Sequence, residues 1–364
     1  MKKSKFKLFA ALLLAAAMTV LSLSGAAPVL ADETAAILAN AAKSPAVHTA
    51  PEGYDQNDFN KVRTFLEQTD SNGIRNGEKL NPDGYDPDDP ESWGALFVDE
   101  WGFEHEAYFD WEEVDGINRM FAINLTYIKD FAGTFDMSGL DALSTLDVDG
   151  GNFTTADLSN CYEMTHCYFA NSTLSSVNFF NCANVTELYL QDNELTEVLN
   201  LGDCTSLLFL DILMNNDLEE IDLSGCERII EHLDFSQTKV SDVNETEMFA
   251  LCEFSCESSG ITELDLRNCN YLNYVNCNFC DMDFLYLPEL PNNLAVNCME
   301  TGLTELNYEN CGGIYDLSIS GNPGLTGKLN LASNPYLMNV SADNCGFAEI
   351  DAAGCEALEG LDIS

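Results

Sequence analysis

The sequence predicts an α/β fold in which short repeats stack into a solenoid with a parallel sheet on one face. Three observations support this prediction: a recurring apolar frame, a nearly constant spacing between its copies, and alternation of apolar and polar residues within each copy. Alternation directs the apolar side chains of a short strand to one side and the intervening residues to the other. Because a single repeat cannot bury its apolar side alone, neighbouring repeats must stack around a shared core.

The repeat is clearest between Asn184 and Thr205, NVTELYLQDNELTEVLNLGDCT, whose first half follows the leucine-rich-repeat pattern L-x-x-L-x-L-x-x-N-x-L. Successive copies begin 21 to 23 residues apart. Residues 142 to 364 therefore hold ten full repeats and the start of an eleventh. The frame begins at Leu143, Met164, Val185, Leu207, Ile230, Leu251, Leu272, Asn293, Ile314, Leu337 and Leu358.

The second half of each repeat keeps a frame of its own, as in Leu174, Val177, Phe179 and Cys182. Repeats this short leave little room for a full helix, so we expect short turns, 3-10 segments or second short strands on the convex face. The residue at the N position of the pattern is expected to turn inward and bond the backbone. It is Asn193, Asn215, Cys280, Asn322 or Cys345 in different copies.

The first 31 residues read as a bacterial signal peptide. Four lysines precede an apolar run, and Val29-Leu30-Ala31 offers a small-residue cleavage site. An uncleaved membrane anchor is the alternative interpretation. Export predicts a secreted or cell-surface protein, with residues 32 to 54 as an Ala- and Pro-containing spacer.

Residues 55 to 141 are predicted to form a small helical N-terminal cap. One face of a short helix carries Phe59, Val62, Phe65 and Leu66, and Asn57 or Asp58 is placed to cap its start. All three tryptophans of the chain precede the first repeat, where large aromatic side chains suit a cover for the open end of the core. They are Trp93, Trp101 and Trp111.

This region resembles the N-terminal cap of extracellular leucine-rich-repeat proteins. The resemblance lies in the helix, the turn-rich loop, the Trp93-Gly94 step and the segment 117 to 140. This group includes secreted, internalin-like proteins of Gram-positive bacteria. The resemblance covers about residues 55 to 364, and it implies protein recognition, with adhesion as one form. No cysteine precedes Cys161, so the paired cysteines of plant receptor caps are not implied.

The acidic composition restricts the classes of partner. The chain has 15 basic and 61 acidic residues, and without the leader lysines 11 basic residues remain, a net charge of about −50. Such a surface excludes nucleic acid as a partner and disfavours an anionic membrane surface. Basic proteins and divalent cations remain possible, although acidity also keeps a secreted solenoid soluble. The acidic segment 86 to 92 lacks the ligand order of an EF-hand and is interpreted as a solvated loop.

The 14 cysteines are expected to form buried ladders whose thiols pack or bond the backbone, because they recur in fixed repeat positions. The single C-x-x-C, Cys277 to Cys280, is interpreted as core and turn residues, so no metal and no cofactor is predicted. Free thiols would suit a reducing exterior, yet the even count leaves pairing open. One column holds Cys161, Cys182, Cys204, Cys226, Cys269, Cys311 and Cys355, and a second holds Cys256, Cys277 and Cys298.

No motif in the sequence predicts an enzyme. The segment 105 to 110, HEAYFD, is not H-E-x-x-H, and the chain has no G-x-S-x-G and no glycine-rich phosphate loop. Asp211 and Asp234 are expected on adjacent strands, where solvent should weaken any pKa shift. His166 and His232 should lie three strands apart, too far to share one metal ion.

The residues between the strand leucines predict three solvent-facing columns on the concave side. The central column runs through Asp147, Tyr168, Tyr189, Asp211, Asp234, Ser255, Asn276, Asn297, Ser318, Ser341 and Asp362. One neighbouring column runs through Thr145, His166, Glu187, Phe209, His232, Glu253 and Tyr274. The other runs through Asp149, Ala170, Gln191, Leu213, Ser236, Glu257 and Asn278.

The predicted ligand-binding site lies on repeats two to five, where exposed aromatic residues have acidic neighbours. It comprises His166, Tyr168, Glu187, Tyr189, Phe209, Asp211, Leu213, His232 and Asp234. We expect an extracellular scaffold that binds a host or bacterial surface protein. Two alternatives remain: a glycan-binding module that stacks sugars on Tyr168, Tyr189 and Phe209, and a purely structural segment of a longer surface protein. The final residues, ALEGLDIS, carry no polar cap, so we expect either that the natural protein continues beyond Ser364 or that this chain is a fragment.

Overall fold

In the computed structural model, the described residues are 48–98, 103–126, 130–289, 293–308 and 311–364. The predicted signal peptide, the spacer up to residue 47 and Trp101 lie outside them. Residues 49 to 364 form one compact unit. Among the described residues, no helix is both long enough and apolar enough to cross a bilayer.

Short strands dominate the described residues. Two helices, α1 (Gln56–Leu66) and α2 (Asn76–Leu80), lie near the start, and 3-10 turns occur at Pro90–Ser92 and Glu245–Glu247. The strands in chain order are β1 (Ala95–Val98), β2 (Glu104–Val114), β3 (Ile117–Leu125), β4 (Phe135–Asp136), β5 (Thr145–Asp149), β6 (Thr155–Asp157), β7 (His166–Ala170), β8 (Ser176–Asn178), β9 (Glu187–Tyr189), β10 (Thr196–Asn200), β11 (Phe209–Asp211), β12 (Asp217–Asp222), β13 (His232–Asp234), β14 (Glu253–Ser255), β15 (Glu263–Asp265), β16 (Tyr274–Asn276), β17 (Phe284–Tyr286), β18 (Leu294–Asn297), β19 (Glu305–Leu306), β20 (Ile314–Ser318), β21 (Thr326–Asn330), β22 (Asn339–Ser341), β23 (Gly346–Asp351) and β24 (Gly360–Asp362).

One side of the core is a 14-stranded sheet in the order β1-β2-β3-β5-β7-β9-β11-β13-β14-β16-β18-β20-β22-β24. Strands β1 to β3 pair antiparallel, and each later pair is parallel, from β3 with β5 to β22 with β24. This is the sheet predicted for the concave side, and we call its solvent-facing surface the concave face. The predicted leucine-rich-repeat solenoid is thereby confirmed.

The opposite side of the core, the convex face, carries the second half of each repeat. Its short strands form four smaller parallel sheets: β4-β6-β8, β10-β12, β15-β17-β19 and β21-β23. The 3-10 turn Glu245–Glu247 lies between β13 and β14 in the chain and contacts β15. Second short strands and a 3-10 turn on this face agree with the expectation from repeat length.

Most convex strands end in an Asp or Asn whose side chain caps the next turn. Asp157 Oδ1 accepts the Ser159 N–H at 3.0 Å, and Asp222 Oδ1 accepts the Ser224 N–H at 3.0 Å. A hydrogen bond from a backbone N–H to the side-chain oxygen of an Asp or Asn two residues earlier forms an Asx turn. It recurs at Asp136, Asn178, Asn200, Asp265, Asn330 and Asp351.

The N position of the pattern turns inward, as predicted. Asn322 is fully buried, and its Nδ2 donates to the carbonyls of Cys298 and Ile319, both at 2.8 Å. Asn193 and Asn215 make equivalent bonds to backbone carbonyls of the core. These side chains satisfy backbone groups that the turn leaves without a partner in its own repeat.

A left-handed residue precedes the N position in successive repeats, and the sequence analysis did not foresee it. Met214 has φ 63° and Phe279 has φ 60°, and each N–H donates to a carbonyl of the following repeat, Ser236 O at 3.0 Å and Met299 O at 2.9 Å. The hydrogen-bond ladder therefore continues through the turn after the concave strand. Neither residue is a Gly or Asn, the usual signals of this conformation.

The predicted frame is wrong by one residue at Asn293. Asn293 is exposed with φ 59°, and the apolar position is taken by Leu294, which is fully buried and pairs with Ile314. The register shifts between Leu294 and Ala295. The bulge shifts only the start of the strand, and Asn297 keeps its predicted column opposite Ser318.

The helix near the start buries the face that the sequence predicted: Phe59, Val62, Phe65 and Leu66 are at most 1 % exposed. Its N-cap, however, is Asp55, which accepts the N–H groups of Asn57 and Asp58. The predicted caps instead lie in the first turn of the helix. Phe65 contacts Phe135 and Phe153 edge to face or tilted, at ring-centroid distances of 5.4 and 5.9 Å, so α1 packs on the core of the first repeats.

Asp58 joins α1 to β3 through a buried network. Its carboxylate is inaccessible to solvent and accepts the Arg119 Nε–H at 2.8 Å and the Met120 N–H at 3.1 Å. Arg119 also contacts the half-exposed carboxylate of Asp141. Burial raises the pKa of Asp58, and the bonds from Arg119 and Met120 oppose that rise.

The cysteines of both predicted columns line the core as free thiols. Cys161 Sγ donates to Met137 O at 3.4 Å and Cys182 Sγ donates to Leu158 O at 3.2 Å. At the open end of the column, Cys355 is half-buried and donates to Leu331 O at 3.1 Å. Cys277 and Cys280 are buried, as predicted for the C-x-x-C segment.

Candidate binding face

The strand register brings the predicted concave columns together. Tyr168 lies opposite Asp147 on one side and Tyr189 on the other, and Asp211 lies opposite Tyr189 and Asp234. The adjacent column pairs His166 with Glu187 and Phe209 with His232 in the same register. The constant repeat length produces this alignment, because residues of equal frame meet on neighbouring parallel strands.

Five rings form a continuous row across β7 to β13. Phe209 and His232 stack face to face, with centroids 4.0 Å apart and planes 4° apart. Tyr189 lies 4.7 Å from Phe209, 6.1 Å from Tyr168 and 5.5 Å from His166, each pair tilted. The row restricts the motion of each ring and presents one rigid apolar strip.

Carboxylates border the row of rings. His166 has Asp147 Oδ1 3.4 Å from Nε2 and Glu187 Oε2 3.3 Å from Nδ1, and His232 Nδ1 lies 2.8 Å from Glu253 Oε2. In the described part of the chain, each ion pair on this face has a histidine as its basic member. The parallel concave strands carry neither Lys nor Arg at the outward positions of the three columns.

Asp147 and Glu253 belong with the predicted site, although it omitted them. Both lie in the predicted columns, and each contacts a histidine of the predicted site. The repeat frame could therefore have predicted these contacts. We use the term concave patch for these two residues together with the nine predicted ones. The concave patch comprises Asp147, His166, Tyr168, Glu187, Tyr189, Phe209, Asp211, Leu213, His232, Asp234 and Glu253.

Burial raises the pKa of two carboxyl groups in the concave patch. Burial raises the pKa of Asp211, and the negative charge of Asp234 raises it further. Burial likewise raises the pKa of Asp147, against the lowering effect of His166. The neighbouring side chains remove water from the Asp211 carboxyl group, so its pKa is raised although it lies on the concave face.

Several residues of the predicted columns are more buried than predicted. Leu213 follows β11 and is half-buried, and its N–H donates to Asp211 Oδ1 at 3.0 Å. Ala170, Ser236 and Ser255 are buried rather than solvent-facing, and the hydroxyls of the two serines bond each other at 2.8 Å. Short side chains beneath larger neighbours lose their solvent contact even when they point outward.

His166 and His232 lie on β7 and β13, separated by β9 and β11, as predicted. Within the described ranges, no group of three or more His, Cys, Asp or Glu side chains is arranged to hold a metal ion. The concave patch thus has closely packed rings in the middle and carboxylates at the border.

No protein-family model matches this sequence, and no curated protein sequence matches it. Several solved structures share its repeat architecture. The functional domain of InlJ from Listeria monocytogenes, described as including a cysteine ladder, is 17% identical, with 67% of this chain and 63% of that chain covered and a TM-score of 0.47. This chain therefore spans less than two thirds of the InlJ structure.

Two further structures are similar at comparable levels. The internalin InlF from L. monocytogenes is 15% identical, with 67% of this chain and 86% of that chain covered and a TM-score of 0.41. A leucine-rich-repeat protein of Leptospira interrogans is 15% identical, with 63% and 65% covered and a TM-score of 0.39. By its own repeat frame and strand register this chain is a leucine-rich-repeat β-solenoid, and these proteins are solved structures to which it is similar in fold.

Proposed function

We propose that the protein is an extracellular binding scaffold whose concave patch takes a cationic segment of a partner protein, in adhesion or surface recognition. The observation that supports this proposal is the rigid row of rings bordered by carboxylates, on a face whose columns lack Lys and Arg. Aromatic rings at the centre of a surface are the usual anchors of protein interfaces. The predicted leader of residues 1 to 31 supports the extracellular location.

The charge distribution favours a cationic group on the partner. Asp211 and Asp234 lie directly opposite each other on adjacent strands, and the negative charge of Asp234 disfavours the ionisation of Asp211. A guanidinium or ammonium group placed between them would remove that repulsion and would also lie against the face of a neighbouring ring. An anionic partner would add to the repulsion.

A glycan is the main alternative ligand. Sugar stacking needs an open ring face, yet Phe209 and His232 cover each other's faces at 4.0 Å. Tyr168 and Tyr189 are only tilted against each other, so they remain the better platforms for this alternative. We also propose that residues 55 to 141 serve as the N-terminal cap, because Phe65 of α1 packs against Phe153 of the first repeat.

The first prediction concerns the rings. Residues 32 to 364 should bind a partner from a panel of host and bacterial surface proteins, and the double variant Tyr189→Ala, Phe209→Ala should weaken that binding by at least about 30-fold, which corresponds to the ~2 kcal/mol of one hot spot. Binding is measured by titration of the purified partner. A glycan panel is screened in parallel.

The matched control is the double variant Phe284→Ala, Tyr286→Ala. It removes one Phe and one Tyr, 5.0 Å apart and half-buried, from β17 on the convex face. Both double variants are checked for unchanged secondary structure. Equal loss of affinity in the two, or no loss in the first, contradicts the concave site and leaves a purely structural role.

The second prediction concerns salt. Affinity for a protein partner should fall by about tenfold between ~50 mM and ~0.5 M NaCl, because the attraction is between opposite charges at a partly exposed surface. The double variant Asp211→Asn, Asp234→Asn should flatten this dependence, since Asn keeps the Oδ1 that caps the Leu213 and Ser236 N–H groups. The control is Glu219→Gln, Glu220→Gln on the exposed convex strand β12. A salt-insensitive ligand that still needs Tyr189 would indicate the glycan alternative.

A further inference from the structure

Two thiols meet in the core between the sixth and seventh repeats. Cys256 Sγ and Cys280 Sγ lie 3.9 Å apart, and Cys280 Sγ also lies 3.0 Å from the carbonyl oxygen of Cys256. The hydroxyl of Ser259 lies 3.7 Å from Cys280 Sγ. Cys256 is 0% and Cys280 is 2% exposed, and the half-buried Ser259 lies beside them, so the pair is close below the surface.

The repeat geometry accounts for this contact. The side chain at an N position reaches back to the carbonyl of the residue 24 positions earlier, as Asn193 does to Phe169 and Asn322 does to Cys298. Cys280 occupies an N position, and the residue it reaches is Cys256. The two sulfurs therefore meet because cysteine occupies both the N position and the position 24 residues before it.

Cys345 provides a comparison within the same chain. It also occupies an N position, and its Sγ donates to Ile319 O at 3.1 Å. Ile319 takes the place in this contact that Cys256 takes in the other. A thiol therefore meets an aliphatic residue here, and no second sulfur is involved. Burial raises the pKa of Cys345.

The two thiols of the pair have opposite acidities. The hydrogen bond from Cys256, together with those from Ser259 and its neighbours, lowers the pKa of Cys280 to about 7. Burial raises the pKa of Cys256 well above its usual value. Cys280 is therefore the more acidic thiol of the pair. Its thiolate, the reactive form, no longer donates to the Cys256 carbonyl and instead accepts the hydrogen bond of the Cys256 thiol.

We propose that Cys256 and Cys280 are a modification site at which hydrogen peroxide forms a disulfide that joins two neighbouring repeats. The Cys280 thiolate attacks one peroxide oxygen, the O–O bond breaks and hydroxide leaves, which gives a sulfenic acid on Cys280. The Cys256 sulfur then attacks the Cys280 sulfur, the S–O bond breaks, and the departing hydroxide takes the Cys256 proton as water. The thiols lose two electrons and one peroxide becomes two waters.

Disulfide formation requires the two sulfurs to move together. The sulfurs must approach from 3.9 Å to about 2.05 Å, and the Cys280 hydrogen bond to the Cys256 carbonyl breaks as they do so. A small oxidant suits a site that a larger disulfide reagent could not enter. The product holds the turn after β16 covalently against the end of β14, the strand whose Glu253 contacts His232 of the concave patch.

The test is peptide mapping of the purified protein after treatment with hydrogen peroxide. Trypsin cuts after Arg267, between the two cysteines, so the disulfide appears as a cross-linked pair of peptides, and fragmentation identifies the joined residues. We expect the Cys256–Cys280 link in the wild type, reversed by dithiothreitol. It should form faster at about pH 8 than at about pH 6, because the thiolate fraction of Cys280 rises over that range.

Three variants distinguish this pair from general thiol oxidation. Cys280→Ser should abolish the link, whereas Cys345→Ser should leave its yield unchanged. Cys277→Ser, which replaces the other thiol in hydrogen-bond contact with Cys256, should still form the link. Circular dichroism verifies that each variant is folded, and Cys345→Ser controls for the loss of an N-position thiol. Overoxidation of Cys280 without a link, a link to Cys277, or peroxide consumption unchanged in Cys280→Ser would each overturn the proposal.

Discussion

Replacing Asn322 by alanine is expected to lower the free energy of unfolding by about 3 kcal/mol. The side chain is fully buried, and its Oδ1 accepts the N–H groups of Thr301 and Leu303 at 3.2 and 3.0 Å. Alanine leaves both N–H groups without an acceptor, and an unsatisfied buried group costs about 1–3 kcal/mol. Chemical denaturation followed by circular dichroism measures the loss.

The chain itself suggests an intermediate variant. Thr238 occupies the same N position, and its hydroxyl donates to Phe235 O at 2.8 Å and accepts the Val240 N–H at 3.3 Å. Asn322→Thr should therefore lose less stability than Asn322→Ala. The control is Asn339→Ala, which removes an exposed Asn from β22 and should cost less than about 1 kcal/mol. If Asn322→Ala is no worse than this control, the inward side chain does not support the turn.

Asp58→Ala is expected to cost about 3 kcal/mol or more, because it removes one partner of a buried ion pair. Arg119 would lose its bond to Asp58, and the Met120 N–H, on the core side of β3, would lose its acceptor. Asp58→Asn should cost less, since it retains an oxygen for Met120 and burial already raises the pKa of the Asp58 carboxyl group. Thermal and chemical unfolding of the three proteins test this order.

Asp141→Ala is the matched control for Asp58. It removes a carboxylate from the same arginine, but one whose side chain is 48% exposed, so water replaces the lost contact and the cost should remain below about 1 kcal/mol. Equal destabilisation by Asp58→Ala and Asp141→Ala would show that burial does not decide the strength of this network.

The concave columns were predictable because two periodicities coincide. Alternation within a strand selects the outward residues, and the constant repeat length aligns them across strands, which is why Tyr189 was correctly expected between Tyr168 and Asp211. The same reasoning misplaced the first apolar residue of one repeat, because a bulge between Leu294 and Ala295 puts Leu294 rather than Asn293 opposite Ile314. The columns placed Glu253 beside His232, which it contacts, but the predicted binding site left Glu253 out.

Other features had no local signal. Met214 and Phe279 adopt left-handed turns because the hydrogen bonds of the next repeat hold them there, against their intrinsic preference. The N-cap of α1 is Asp55 rather than Asn57 or Asp58, because Asp58 is instead buried against Arg119 of a distant strand. In each case a contact far along the chain outweighs a weak local propensity.

The sequence by itself determined the repeat frame, the two faces of the solenoid, the inward N positions and the residues of the concave columns. These depend on periodicity, which the chain carries in every repeat. Tertiary structure alone decided the face-to-face stacking of Phe209 on His232, the raised pKa of Asp211 and the contact of Cys256 with Cys280. Those depend on side-chain rotamers and on the exclusion of water by neighbouring repeats, and both are settled only when the repeats pack together.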